Sequence, residues 1–585
     1  MLQPTDRATL IASLAPPPGF EFDDAMAVTY TLDLKVMLAA PAALALRHHE
    51  DQDDSEPLIP VDVLHALRTH ADRITVFAQA GEIALPSAQK AYGFLDGSVV
   101  PVTAPRGGVV HPKVWVLRFR STSDPDTTLM RMLISSRNLT FDSSWDTLIR
   151  LDSTDATGDL LPEAAELFRG LLTCSVNDVS LTHSTRIESL AEQLLTTRFA
   201  LPEGVDSMRL HLLGFDAKPS PFPSEWSRSV VVSPFLTAGF FSNWMARPPD
   251  ILVSRPEALA AIANFEGFPD IRFFDDGSVV DYEGGPIGPA QPLHGLHAKI
   301  FGFEHRDDAQ WFLGSANATD AAFNSNVEVL LEVIGSRATI GIDAMFGDAD
   351  EAESMWRLFP TYVPAKDGIT VPEPPDVLNE LRRQIGSQKF RGFVTEEDGG
   401  CRVTYSSGKD IVLPPETSML IWPITIPGSR RPVPSGVPLN EGFNTTLEAL
   451  SGFLGCELSV GDEVSTFCIP VPLEGVPDGR DAALMRSLIG NAQRFFAYLL
   501  ALLSDDDVED SLGDGNMVWG NGEWGDAPDG EMPPVLERML RSMRTSPAKL
   551  LDIQPLVKGL SEDAALPDGF EEVWNAVLGV SWRGK

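Results

Sequence analysis

The stretch "HPKVWVLRF", residues 111–119, places a histidine and a lysine two positions apart in front of an apolar run. The run is typical of a buried strand, in which alternate side chains point to opposite faces. His111 and Lys113 are therefore expected on one side of the strand start, with Pro112 on the other. Taken alone, the pair is an ordinary polar strand start, so its meaning depends on the rest of the chain.

The same arrangement occurs again in "LHGLHAKIFGFE", residues 293–304. His297 and Lys299 stand two positions apart and again precede an apolar run. Two copies of one polar pattern at two strand starts indicate an internal duplication with a paired site. The alternative is a chance match between two exposed strand ends.

Further polar residues follow each pair in the same order. Each copy has a second apolar run that ends in a serine and an asparagine, and a carboxylate then precedes or begins a third apolar run, at Asp146 and at Glu328. The serines and asparagines are, in chain order, Ser136, Asn138, Ser315 and Asn317. The repeated set supplies hydroxyl and amide hydrogen-bond donors, two ammonium charges and two titratable imidazoles.

Strand-like and helix-like stretches alternate through the region that carries the two motifs. "MAVTYTLDL" (26–34) is expected to be the first strand, and the order restarts near "SVVVSPF" (229–235). Alternation of this kind predicts an α/β fold. The restart predicts two halves of similar architecture.

The motifs and a proline-rich break divide the chain into regions. We expect a first half at residues 1–200, a second half at 201–358 and a linker at 359–377. Residues 378–585 begin with β-like text and end with helical text, which predicts a C-terminal α+β domain.

The paired motifs resemble those of the phospholipase D superfamily, and the resemblance covers roughly residues 25–340. That superfamily places an aspartate five residues after the lysine, where this chain has Arg118 and Glu304. The form that lacks the aspartate is more similar to tyrosyl-DNA phosphodiesterases. The resemblance implies two halves, each a mixed sheet flanked by helices, related by a pseudo-two-fold axis. The segment "GFEFDDAMAVTYTLDL" (19–34) and the C-terminal domain belong to no signature that we can name.

The resemblance also implies roles for the repeated residues. His111 is expected to attack phosphorus and form a phosphohistidine, and His297 to act as general acid and then as base for water, although the symmetry of the site could reverse the two. Lys113 and Lys299 would neutralise the phosphoryl oxygens, with amide and hydroxyl donors from Asn138, Asn317, Ser136 and Ser315. Asp146 and Glu328 could each hold the far ring nitrogen of a histidine, or be plain edge-strand carboxylates. No metal or other cofactor is required.

Composition narrows the setting in which such a site would act. The net charge of −38 argues against a broad electrostatic coat of nucleic acid, so an anionic substrate needs a local basic pocket. The four cysteines have no spacing typical of zinc sites or disulfide frameworks. No basic segment followed by an apolar one opens the sequence, and the apolar runs are too short to span a bilayer. We therefore expect a cytoplasmic protein without a membrane partner.

The substrate stays open at this stage. The leading hypothesis is a metal-independent nuclease or DNA phosphodiesterase, which family habits would place in a microbial defence or restriction system. A phospholipase D-type lipid hydrolase is the second hypothesis. A catalytically impaired subunit that only binds phosphate is the third, motivated by Arg118. The C-terminal domain is expected to bind a protein partner, and its basic stretch 381–393 could contact nucleic acid or be a solvated surface.

Overall fold

A computed structural model describes most of the chain up to residue 489. The described residues are 10–45, 68–140, 144–262, 264–275, 295–347, 354–363, 377–397, 399–489 and the single positions 554, 557, 570 and 574. Most of the predicted linker, at 364–376, and most of the segment 490–585 of the predicted C-terminal domain lie outside these residues.

The first sheet has six strands in the order β3-β2-β1-β4-β5-β6. The strands β1, β2 and β3 run parallel to one another, whereas β4, β5 and β6 follow as antiparallel neighbours. Their bounds are β1 (Phe20–Thr29), β2 (Ile74–Gln79), β3 (Val99–Val102), β4 (Val114–Ser121), β5 (Thr128–Ser135) and β6 (Leu148–Asp152). A small separate sheet pairs β7 (Gly158–Leu160) with β8 (Arg198–Ala200).

The second sheet has seven strands in the order β12-β11-β10-β13-β14-β15-β9. Here β10, β11 and β12 are parallel, and β13, β14, β15 and β9 continue antiparallel. The bounds are β9 (Val205–Leu213), β10 (Arg228–Val232), β11 (Ile251–Ser254), β12 (Asp270–Phe273), β13 (Ile300–His305), β14 (Asp308–Gly314) and β15 (Glu328–Ser336).

Apart from the extra strand β9, the two sheets have the same strand order and the same relative directions. The prediction of a mixed α/β fold is confirmed. The helices of the described residues are α1 (Leu10–Leu14), α2 (Leu34–Ala45), α3 (Glu163–Thr173), α4 (Leu181–Leu194), α5 (Ala238–Asn243), α6 (Pro256–Ala260), α7 (Asp320–Asn324), α8 (Arg337–Ile340), α9 (Ile342–Phe346), α10 (Val377–Gly386) and α11 (Arg480–Ile489).

One apolar core contains residues of both sheets. On β4, Val114 and Val116 belong to this shared core together with Val329 of β15, whereas Trp115 and Leu117 point to the opposite face and pack in a second core with α2. The alternation follows from strand geometry. Burying a valine or leucine side chain contributes about 1.5–3 kcal/mol, so the shared core holds the two sheets together.

The first strand differs from the sequence prediction. It spans Phe20–Thr29 and ends before the segment "YTLDL" that we expected to be part of it. The acidic pair Asp23 and Asp24 lies within the strand, and both are buried because Arg118 and Arg120 on the neighbouring β4 pair with them. A cross-strand ion pair of this kind is invisible in the local pattern.

Residues 377–489 form two four-stranded sheets between α10 and α11. One has the order β20-β17-β16-β23 and the other β19-β18-β21-β22. The strands are β16 (Phe390–Glu397), β17 (Gly400–Ile411), β18 (Thr417–Pro423), β19 (Arg431–Pro432), β20 (Val437–Thr445), β21 (Phe453–Val460), β22 (Glu463–Pro470) and β23 (Leu473–Glu474).

This C-terminal region contacts the first sheet's side of the molecule. Arg480 pairs with Asp96 at 2.6 Å, and the backbone N–H of Cys468 donates to the carbonyl of Ile83 at 2.9 Å. Phe453 is part of the same apolar core as α2. Separately, no helix within the described ranges is long and apolar enough to cross a membrane.

Candidate active site

The two His-x-Lys pairs occupy matching places in the two sheets. His111 and Lys113 lie three residues and one residue before β4, and His297 and Lys299 stand in the same relation to β13. As predicted, both pairs lie at strand starts.

His111 is held by residues of the second half. Its Nδ1 lies 2.9 Å from Oε2 of Glu328 and 3.0 Å from the carbonyl oxygen of Ser315. Its backbone N–H donates to the carbonyl of Val327 at 2.9 Å. Both ring contacts are to oxygens that only accept hydrogen bonds, so Nδ1 carries the proton and Nε2 is left for a substrate.

His297 is held by residues of the first half. Its Nδ1 lies 3.1 Å from the carbonyl oxygen of Ser136, and its backbone N–H donates to the carbonyl of Trp145 at 2.8 Å. Nζ of Lys299 also lies 3.4 Å from Nδ1, so this nitrogen faces both a hydrogen-bond acceptor and a donor, and either ring nitrogen can carry the proton.

The two halves therefore complete each other's histidine. Two isolated parallel β-bridges connect the halves at this point. Val110 pairs with Val327, and Leu296 pairs with Trp145. A one-residue slip of either bridge would turn its histidine away, since side chains alternate along an extended segment.

Ser136 and Ser315 are both buried directly after their strands β5 and β14. Their hydroxyls accept the backbone N–H of Thr147 at 2.9 Å and of Val329 at 3.0 Å, respectively. In addition, Ser315 Oγ donates to Glu328 at 2.5 Å. The serines thus shape the loops that present the carbonyls to the histidines.

Asn138 and Asn317 are half-buried at equivalent turns, where their carbonyls accept the backbone N–H of Thr140 and Thr319. The side chain of Asn138 accepts a weak hydrogen bond from the backbone N–H of Thr31 at 3.4 Å. The buried Oδ1 of Asn317 has no hydrogen-bond partner among the described residues. An amide so placed can turn either end toward a ligand.

The two lysines are almost completely buried, with exposures of 3% for Lys113 and 1% for Lys299. Each ammonium donates to the carbonyl of the histidine two residues before it, at 2.6 Å in both cases. Burial lowers the pKa of Lys299 to about 7, helped by the charge of Arg255 and opposed by Glu328. Burial and the charge of Lys299 lower the pKa of Lys113 well below its ordinary value.

Both histidines are weak bases in this setting. Burial lowers the pKa of His111 to about 4, although the Glu328 carboxylate opposes the shift. The pKa of His297 falls further, to about 2, because of burial and then of the charges of Lys299 and Lys113. The positive charges in the site lower one another's pKa values. A bound anion would raise these pKa values again, because its charge favours the protonated forms.

The two predicted carboxylates have different positions. Glu328 begins β15, is fully buried and holds His111. Asp146 lies before β6, 3.6 Å from Nε of Arg137, and its charge raises the pKa of Lys299. The prediction that Asp146 holds the ring of His297 is not met, because the Ser136 carbonyl takes that place. The side chain of Asp146 is shorter than that of Glu328, and it faces the guanidinium of Arg137.

Arg118 and Glu304, which occupy the positions of the superfamily's aspartate, are remote from the histidines. Five residues of strand, about 16 Å, separate Arg118 from Lys113. Arg118 donates to Asp23 at 2.6 Å and to Asp24 at 2.5 Å. Its position therefore gives no support to an impaired site.

Glu304 is buried and accepts the backbone N–H of Ile342 at 2.8 Å, with Arg337 at 3.3 Å. On the neighbouring strands, Asp24 is opposite Arg118 and Arg228 is opposite Glu304. Both halves place oppositely charged residues at this cross-strand position, with the signs exchanged between the halves. The position therefore has a structural role.

The sequence analysis missed two aromatic residues near the motifs. Tyr30 lies 5.3 Å from the ring of His111 and 5.8 Å from Nζ of Lys113. Phe235 lies under the guanidinium of Arg255 at 5.2 Å. Tyr30 directly follows β1, and Phe235 lies three residues after β10, the equivalent strand of the second sheet. That shared position is a signal that alignment of the two halves could have given.

Within the described ranges, no group of three or more His, Cys, Asp or Glu side chains is placed to hold a metal ion.

No protein-family model matches the chain, and no curated protein does so either. A crystal structure of yeast tyrosyl-DNA phosphodiesterase is similar at 11% identity, covers 57% of this chain and 88% of that chain, and gives a TM-score of 0.29. A variant of the yeast enzyme reaches 9% identity and a TM-score of 0.31 over 57% of this chain and 86% of that chain. Polyphosphate kinase from Porphyromonas gingivalis is 14% identical, with 55% of this chain and 42% of that chain covered and a TM-score of 0.29. At these values the function has to be argued from this chain's own residues.

Proposed function

We propose that the chain is a metal-independent phosphodiesterase that cleaves nucleic acid through a phosphohistidine at His111. The observation that carries the proposal is the crossed pairing, in which each half supplies the groups that orient the other half's histidine. Two imidazoles with free Nε2 atoms beside two buried ammonium groups form the minimum set for a two-step displacement at phosphorus. The resemblance of the motifs to the phospholipase D superfamily points the same way.

In the first step, Nε2 of His111 attacks phosphorus and forms a P–N bond while the bond from phosphorus to the leaving oxygen breaks. The negative charge of the bound phosphate favours a proton on Nε2 of His297, and this proton passes to that oxygen. Glu328, at 2.9 Å from Nδ1, stabilises the positive charge that the ring of His111 acquires. This contact favours His111 as the nucleophile, because Nδ1 of His297 faces a neutral carbonyl and, at 3.4 Å, the ammonium of Lys299, neither of which offsets a positive charge on the ring.

In the second step, water attacks phosphorus and gives a proton to Nε2 of His297. The P–N bond breaks and its electron pair returns to His111, which restores both histidines. Lys113 and Lys299 neutralise the phosphoryl oxygens in both steps, and their burial strengthens that interaction. The amide of Asn317 is placed to contribute a further hydrogen bond.

A nucleic acid is the substrate class that we propose. The chain is strongly acidic overall, yet Arg255 and Arg137 lie near the buried lysines and histidines. A local cluster of guanidinium and ammonium groups in an acidic chain selects a polyanion at one place on the surface. Arginine also pairs well with the phosphates that flank a scissile bond.

The test is cleavage of single-stranded DNA, duplex DNA and RNA by the full-length chain in EDTA, beside a His111→Ala variant. We expect cleavage by the unaltered chain and none by the variant. Equal residual activity in the variant would remove the mechanism. Rapid alkaline quenching of a phosphorus-labelled substrate should show label on the unaltered chain and none on the variant.

Vesicles of phospholipid supply the matched control substrate. Release of headgroup from them without action on any nucleic acid would replace the nucleic-acid proposal with a lipid hydrolase and would leave the two-histidine chemistry in place.

A further inference from the structure

The loops that follow the equivalent strands β1 and β10 are built alike. In the second half, the hydroxyl of Ser233 accepts the backbone N–H of Ala318 at 2.9 Å. In the first half, the hydroxyl of Thr29 accepts the backbone N–H of Leu139 at 3.1 Å. Ala318 and Leu139 directly follow the two site asparagines, so both loops are tied to the edge of the site.

The aromatic residues in these loops differ in exposure. Tyr30 is turned inward against His111, and burial together with the Glu82 carboxylate raises the pKa of its hydroxyl above the usual range. Glu82 in turn pairs with Arg382 of α10, which covers this side. Phe235 has no such cover from the described residues and exposes half of its surface.

Arg255 ties Phe235 to the second half-site. Its Nε and one terminal nitrogen donate to the carbonyl of Leu296 at 3.1 and 2.6 Å, directly before His297. The guanidinium lies over the ring of Phe235 at 5.2 Å, and its charge lowers the pKa of Lys299. An exposed ring is thus fixed beside the groups that would bind phosphate.

We propose that Phe235 stacks on an unpaired nucleobase next to the scissile phosphate, which makes single-stranded or open-ended nucleic acid the preferred substrate. The proposal rests on the proposed function. A base presents its flat face only when it is not stacked within a duplex, and a ring near a phosphate site offers it an apolar partner. The first half cannot offer the same surface, because α10 passes over it and Gly81 and Gly386 are packed against each other there.

Binding of a DNA oligonucleotide with one 2-aminopurine tests the proposal in the full-length His111→Ala chain. The fluorescent base is placed in turn on each side of the scissile phosphate. Stacking should quench its fluorescence at one of the two positions. Adding Phe235→Leu should abolish the quenching and weaken binding roughly tenfold, whereas adding Phe235→Trp should preserve both.

An abasic oligonucleotide and a second exposed phenylalanine supply the controls. With the abasic site at the quenched position, Phe235→Leu should bind as tightly as its parent, which also shows that the variant is folded. Phe393→Leu, at an exposed ring on β16, should change nothing. Equal weakening on normal and abasic strands, or an unchanged quench in Phe235→Leu, would overturn the inference.

The two proposals fail in different ways. If the unaltered chain neither binds nor cleaves any nucleic acid, the proposed function is wrong. If it cleaves duplex and single strands equally well and Phe235→Leu has no base-dependent effect, only the stacking inference is wrong.

Discussion

The two half-sites share a backbone design and differ in the side chain that faces Nδ1 of each histidine, a carboxylate at His111 and the Lys299 ammonium at His297. In both, a backbone bridge and a serine carbonyl orient the histidine, and the lysine donates to that histidine's carbonyl at 2.6 Å. Only His111 also has a carboxylate on Nδ1. Duplication alone would give two equivalent histidines, and Glu328 is what makes them unequal. The comparison supports the proposal that the nucleophile is in the half that has the carboxylate.

The largest expected effect separates the two histidines. His111→Ala should lower turnover by about 10⁴-fold or more on every substrate, because no nucleophile remains. His297→Ala should lower turnover of an oligonucleotide by about 10²–10⁴-fold. A p-nitrophenyl phosphodiester needs no proton on its leaving oxygen, so His297→Ala should release nitrophenol in a burst and then stall as the phosphohistidine.

Stopped-flow absorbance and a label-retention assay measure both outcomes. A burst in His111→Ala and not in His297→Ala would reverse the assignment of the two halves. Equal loss on both substrates in both variants would show that the leaving oxygen is protonated by another group.

The next effect compares the two carboxylates. Glu328→Gln should lower turnover by about 10²–10⁴-fold, because the imidazolium formed on His111 loses its counter-charge. Asp146→Asn should cost less than tenfold, since Asp146 does not hold His297 in the structure. Steady-state kinetics on one oligonucleotide measure the turnover of both variants. Similar losses in the two variants would show that the half-sites are equivalent.

A smaller effect concerns the pH dependence of anion binding. Lys299 has a pKa of about 7 and should lose its charge as the pH rises through that value. Sulfate keeps its charge over this range, so its affinity should fall above pH 7 in proportion to the neutral fraction of Lys299. Lys299→Met should bind sulfate weakly at all pH values and lack the step, as measured by calorimetry.

Proton linkage at Lys299 should make stability rise with pH, whereas the affinity for sulfate falls. The pKa of Lys299 in the folded chain, about 7, lies below its ordinary 10.5. Between these values the unfolded chain binds more protons, so the free energy of unfolding should rise with pH from about 7 to 10.5 without anion. Lys299→Met should remove this contribution and should be more stable at pH 7. Denaturant titrations measure it, and a flat profile in the unaltered chain would contradict the buried ammonium.

The smallest effect on activity is expected at Arg118. Arg118→Ala leaves the buried Asp23 and Asp24 with less pairing, so it should destabilise the chain by about 1–3 kcal/mol. Turnover per folded molecule should stay within twofold of the unaltered chain, because the residue is remote from both histidines. A large gain of turnover would restore the hypothesis that Arg118 impairs the site, and a large loss at unchanged stability would show that Arg118 contributes to the reaction.

Much of the site could be predicted because its pattern is local and repeated. The apolar run after each His-x-Lys pair predicted that both pairs lie at strand starts. Comparison of the two copies also predicted the serine and asparagine at each strand end. The first strand spans Phe20–Thr29 rather than 26–34, because its pairing with β4 starts at Phe20 and includes the ion pairs of Asp23 and Asp24 with Arg118. Phe235 gave no local signal at all.

The sequence alone determined which residue types recur and on which side of a strand start they stand, because alternation along a strand is a local property. Tertiary structure decided which half completes which histidine. His111 and Glu328 are 217 positions apart, and nothing in either motif says that they meet. That contact depends on how the two sheets pack across their shared core, and packing over such a separation is set by the whole set of buried side chains rather than by any one segment.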